Sequence, residues 1–325
     1  MLRRSWFPFL LVCLTALLAC LPCLFASAGD LKTTIVQQKS GTQAMLMGLY
    51  FRNQSLGWAV GAGGTVLKTV DGGKKWKRVS SGTGSLLTAV LFIDDQRGWA
   101  VGANGTVRHS TDGGESWRPI PVATQAPLYG IFFASPAQGW IVGGAGTILH
   151  TTDGGATWGD QTSGTSAALH AVQFVNERRG TVVGTLGTIL ATEDGGATWA
   201  AQGTQGSATF FDVFFTDESN GWTVGNAGAL FQTTDGGEHW NDRTLPCGRT
   251  CHKLTDLIRI RFTGPQNGWI VGERGFILTT NDAGFNWVEQ PNQVKVSFLG
   301  LSFPNASRGW AAGENGAIIR IESIK

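Results

Sequence analysis

The chain has 325 residues, 42% of them hydrophobic and only 15% charged, with 47 glycines and 13 tryptophans. Its 25 Lys and Arg stand against 23 Asp and Glu, a formal charge of +2, which excludes nucleic acid as a general partner because a phosphate backbone needs a basic surface. So apolar and aromatic a composition also excludes a disordered chain.

Residues 1–28 read as a secretory signal. Arg3 and Arg4 supply the positive start, Trp6 to Phe25 the apolar run, and Ala26-Ser27-Ala28 a small-residue cleavage site. Its removal takes away two arginines and no acid, leaving 23 residues of each sign. Two other readings stay open. Leu17-Leu18-Ala19-Cys20 resembles a lipobox, which would make Cys20 a lipidated N-terminus, and the apolar run is long enough to stay as an uncleaved anchor. All three place residues 29–325 outside the cytoplasm, and a bacterial periplasm is the expected location.

Beyond the leader the chain repeats itself. A Gly-Trp-like pair opens a Gly-x-x-x-Gly segment at Gly57, Gly98, Gly139, Gly180, Gly221, Gly268 and Gly309, every 41 residues except for one step of 47. Such a period means stacked, equivalent units. The second unit reads as four short β-rich runs: Leu86 to Phe92, Gly98 to Gly102, Thr106 to Ser110 and Trp117 to Ile120, each bounded by Gly, Asp or Asn. No sustained 3.6-residue apolar period occurs, so helices should be nearly absent. Phe ends the first run of every unit (Phe51, Phe92, Phe133, Phe174, Phe215, Phe262, Phe303), and small residues such as Gly48, Ala89 and Gly130 precede it where strands would crowd a central axis.

These patterns predict an all-β, seven-bladed β-propeller of four-stranded antiparallel blades, one domain over residues 29–325. The last unit lacks a fourth strand. The segment from Thr34 to Thr42 lies 41 residues before the outer strand of the first blade, so the N-terminal strand is expected to complete the last blade.

Six units carry Thr/Ser-x-Asp-x-Gly-x-x-Trp, with aspartates Asp71, Asp112, Asp153, Asp194, Asp235 and Asp282. Each carboxylate can accept backbone N–H bonds within its turn while glycine supplies positive φ. Twelve of the thirteen tryptophans sit in this slot or the Gly-Trp slot, so they are packing residues by position. The motif resembles the Asp-box, or BNR repeat, of sialidases and other propellers. A sialidase would need a tyrosine nucleophile, an arginine cluster and an acid; the mature chain has only Tyr50 and Tyr129, both in repeated first strands. A glycosidase with two carboxylates, or a carbohydrate-binding propeller, remains the alternative. No nucleophile triad, phosphate loop or metal-ligand spacing is present, so neither cofactor nor metal is expected.

With Gly-Trp-Ala-Val-Gly, Gly-Thr-Val-Leu and Thr-x-Asp-Gly-Gly-x-x-Trp together, residues 31–325 resemble the photosystem II stability and assembly factor-like propellers. That resemblance implies a non-catalytic, monomeric, extracytoplasmic binder of membrane or envelope proteins, touching the membrane only through its partner or a lipid anchor.

Residues that break the repeat concentrate in blades five and six. Asp212 and Arg259 replace the small first-strand residue and are expected to pair near the axis, with Arg261 following on the same side of its strand. The long step adds Arg243, Arg249, His252 and Lys253, and Cys247 and Cys251, which in an oxidising compartment read as a small disulfide; a zinc site would need further ligands. With Arg274 in the next turn, Arg243, Arg249, Lys253 and Arg259 are expected to form a basic patch beside the channel mouth, suited to an acidic peptide segment or carboxylate. In blade four, Thr181 stands where tryptophan should be and reads as a looser blade; His170 reads as a packed or channel-lining residue.

Overall fold

Each repeat folds into a four-stranded antiparallel meander in chain order, and seven such sheets surround a central channel. The computed structural model describes residues 32–203, 206–244 and 255–324. In the first blade the strands are Leu46–Phe51, Gly57–Gly61, Thr65–Thr69 and Lys77–Ser80, from the axis outwards. The seventh is assembled from both ends of the chain. Phe298–Ser302, Arg308–Gly313 and Ile318–Ile324 are joined by Lys32–Gln38, which pairs antiparallel from Lys32 opposite Ile324 to Gln38 opposite Ile318. This clasp covers the edge that Ile318–Ile324 would otherwise offer to another chain.

Every inner strand carries a β-bulge one residue after its start, as between Leu46 and Gly48 or between Leu169 and Ala171. The extra residue (Met47, Thr88, Tyr129 or His170, for example) faces the axial cavity. Crowding follows at once: a Cβ on Gly48 would lie 2.9 Å from the Cα of Ala89 in the next blade. The small residues near the axis are therefore a steric requirement.

The glycine of Gly-Trp and the phenylalanine ending the inner strand form one device. A Cβ on Gly57 would lie 2.6 Å from the Phe51 ring, and the same conflict recurs at Gly139 and Gly221 with Phe133 and Phe215 at 2.7 Å. The following tryptophan does not pack on its own blade's phenylalanine. Trp58 stacks on Phe92 of the next blade with centroids 3.6 Å apart and planes 10° from parallel, and Phe92 meets the edge of Trp117 at 5.7 Å and 84°. Trp140, Phe174 and Trp199 repeat this triplet at the next seam but one. Aromatic triplets thus bind blade to blade, each pair adding about 0.5–1.5 kcal/mol beyond its area.

The box turns close the third and fourth strands. Thr69 Oγ1 donates to Asp71 Oδ1 and accepts from Gly73 N, while Asp71 Oδ1 accepts from Lys75 N at 2.9 Å. All six turns repeat this pattern. Side-chain and backbone donors from Ser116 and Thr157 hold Asp112 and Asp153 down to about 2, and the backbone N–H of Thr198 and His239 does the same for Asp194 and Asp235.

Candidate functional site

The inner strands enclose an axial cavity of about 450 Å³. Its wall mixes apolar and polar groups, with Leu49, Val90, Ile131, Val172 and Val213 among the lining residues. Blades five and six add the charge: Asp212, Arg259 and Arg261 line it, joined by His170 from blade four and Arg52 from the first blade.

Asp212 pairs with Arg261, not with Arg259. Arg261 Nη1 lies 2.5 Å from Asp212 Oδ2, and the same oxygen accepts from Ile260 N at 3.0 Å. The Ile260 bond sets the buried carboxylate beside the strand, and Arg261 reaches it while its guanidinium passes 5.8 Å from the Phe214 ring centroid. Arg259 turns the other way, its Nη1 donating to the carbonyls of Phe211 at 3.3 Å and Ile258 at 3.0 Å. Burial pushes the Arg259 guanidinium below its ordinary value; Asp212 opposes this and Arg261 adds to it. Arg259 stays charged nonetheless, because guanidinium groups do not deprotonate in proteins. Burial, and then Arg259, lowers His170, which lies 5.1 Å from the Tyr129 ring and 5.7 Å from that of Phe211.

Arg259 and Arg261 are thus brought together in the channel wall, while Arg274 and Arg243 stand apart from it. Arg274 is exposed at the tip of the Glu273–Gly275 turn, in the left-handed region at φ 55°. Arg243 follows the outermost strand of blade five and donates through Nε to Gln232 at 3.2 Å. The turn that carries Arg274 and the loop that begins at Arg243 open on the same end of the ring, since both connect strands there. Cys247, Arg249, Cys251, His252 and Lys253 lie outside the described residues, as do residues 1–28 with Cys20 among them.

One metal-type cluster occurs among the described residues. Asp235, Glu238 and His239 bring ligand atoms within 4.8 Å of one another, all exposed. His239 Nδ1 bonds Asp235 Oδ2 at 2.8 Å, the place that Ser116 and Thr157 hydroxyls take in other box turns, so the turn accounts for it.

A closed ring of seven repeated sheets, bound by Gly-Trp and boxed-aspartate motifs around a channel lined by three arginines, defines a seven-bladed β-propeller. The family model described as photosynthesis system II assembly factor YCF48 matches residues 30–129, 76–162 and 204–297, and the chain belongs to that family. Among solved structures, "YCF48 bound to D1 peptide" is 21% identical with a TM-score of 0.74, over 90% of this chain and 95% of that one. YCF48 from Cyanidioschyzon merolae is 20% identical with a TM-score of 0.74, over 89% and 98%. A virginiamycin B lyase from Staphylococcus aureus reaches a TM-score of 0.75 at 13% identity, over 91% and 100%, a likeness of fold alone. Comparison with curated proteins returns no match.

Proposed function

We propose that the protein is an exported, non-catalytic scaffold that holds an acidic peptide segment of a membrane or envelope protein during its assembly. The observation that carries this reading is the charge of the channel. Among the described residues Arg52, Arg259 and Arg261 line it with a single carboxylate, Asp212, which is already engaged by Arg261. A two-carboxylate glycosidase would need a second acid facing the first across about 5–10 Å. A positive channel of mixed polar and apolar wall suits an anionic peptide, bound by guanidinium groups that form paired hydrogen bonds with carboxylates. The peptide-bound relative supports a protein partner. In this reading residues 1–28 direct export and the propeller works in the periplasm, with Arg274 and Arg243 guiding the partner at one end of the ring.

Affinity capture from the native envelope tests the proposal. Wild-type protein is expected to retain a membrane protein that an Arg52→Glu/Arg274→Glu variant, changed at the channel wall and at one end of the ring, loses by at least tenfold. Equal capture by both would remove these arginines from the interface.

A further inference from the structure

The seam between blades four and five lacks the group that the other six share. Elsewhere a tryptophan stacks on the phenylalanine of the next blade, and in blades two and three the cross-strand histidine covers its other face. Trp140 lies 3.6 Å from Phe174, while His150, its register partner, stacks 4.8 Å from it. In blade four both components are small: Thr181 takes the tryptophan position and its register partner is Ala191.

The receiving side of the seam is unchanged. Phe215 meets the edge of Trp240 at 5.9 Å and 85°, as Phe92 meets Trp117 at 5.7 Å and 84°. The second glycine of the box shows the vacancy. A Cβ on Gly155 would lie 2.5 Å from Trp99 Nε1 of the preceding blade, whereas on Gly237 the nearest atoms are Trp240 Nε1 at 3.6 Å and Phe215 Cζ at 3.8 Å. A hydrogen-bond acceptor is also in place. Trp58 and Trp310 donate through Nε1 to the carbonyls of Gly113 and Gly72, and the counterpart here is Gly236, which no side chain of the described residues uses.

What remains of the indole site is a cavity of about 30 Å³ bordered by Thr181, Ala191, Phe215 and Gly236. Arg179 partly fills it, Nη2 lying 2.7 Å from where a Gly236 Cβ would stand. Two long ion pairs hold Arg179, 3.8 Å to Glu193 and 3.9 Å to Glu218, and both carboxylates are exposed. Such pairs are weak, so the guanidinium can move aside at little cost.

We propose that this seam receives a tryptophan side chain from a partner polypeptide. Its indole would stack on Phe215, donate to Gly236 O and lie under the displaced Arg179. Tryptophan is the occupant because the six other seams show that this socket geometry holds an indole. The socket lies where inner strands end and box turns begin, at the opposite end of the ring from Arg274, and it is independent of the basic channel.

Methyl-detected NMR of the full-length protein titrated with N-acetyl-tryptophanamide, and separately with indole, tests this. The expected result is saturable shifts of the Thr181 and Ala191 methyls, at least threefold tighter in Arg179→Ala and absent at Ala191 in Thr181→Trp, which carries its own indole. If Thr181→Trp fails to fold, Thr181→Leu, whose side chain enters the indole position itself, must weaken binding. Absence of saturable shifts in both wild type and Arg179→Ala overturns the site. Equal shifts in the occluded variant place binding elsewhere and also overturn it, and binding of indole without the amide overturns the polypeptide occupant.

Discussion

The indole of Trp310 lies flat on the ring of Phe51, centroids 3.7 Å apart and planes 8° from parallel, and so binds the last blade to the first. Trp310 Nε1 also donates to Gly72 O, and Ser302 Oγ accepts from Phe51 N at 2.8 Å. Both rings are buried. Trp310→Ala is expected to cost about 3–5 kcal/mol in urea unfolding. Phe215→Ala, which loses no stacked indole, is expected to cost less than Phe51→Ala by about 0.5–1.5 kcal/mol. Equal losses at these two phenylalanines would contradict the importance of the seam stacks.

Deleting residues 29–38 removes a strand with seven register pairs. At about 0.5–1.5 kcal/mol for each net hydrogen bond, the loss amounts to several kcal/mol. The uncovered Ile318–Ile324 strand then presents an apolar edge, and the truncated protein is expected to self-associate in light scattering.

Asp212 is 5% exposed and serves both Arg261 and Ile260 N. Asp212→Ala strands the Arg261 guanidinium and is expected to cost about 2–4 kcal/mol, below the largest values for buried pairs because Arg261 is partly solvated. Adding Arg261→Leu, which restores the Ala89 and Leu91 pattern of blade two, is expected to recover part of that loss. A double mutant no better than the single one would deny the coupling.

Acid should destabilise the ring in two stages. His109, His150 and His170 are all lowered by burial, so their unfolded forms take up protons first and stability falls as pH drops below about 6.5. His150→Gln, copying Gln232 at the equivalent place in blade five, is expected to flatten that stage. The boxed aspartates act later: four are depressed to about 2, so their contribution is present above about pH 4 and is lost as pH falls towards 2. Thermal melts across this range, with Asp112→Ala expected to cost about 1 kcal/mol at neutral pH, check both stages.

The repeat alone determined the number of blades, their four strands and the closure of the last by the N-terminal segment. Strand pairing within a blade is local and follows from period-two alternation between fixed turns, so equivalent residues announce equivalent elements. The tertiary structure decided what meets across the seams. Phe51 and Gly57 could each be read as repeated, but only folding shows that the glycine clears the ring, which then receives Trp310 from the other end of the chain. Asp212 was legible as a departure, yet its choice of Arg261 over Arg259 depends on how the bulged strands place two side chains against one carboxylate. Thr181, too, was visible as a missing tryptophan. That its absence leaves a socket rests on Ala191 and Phe215, which lie on a neighbouring strand and in a neighbouring blade, beyond the reach of any pattern along one strand.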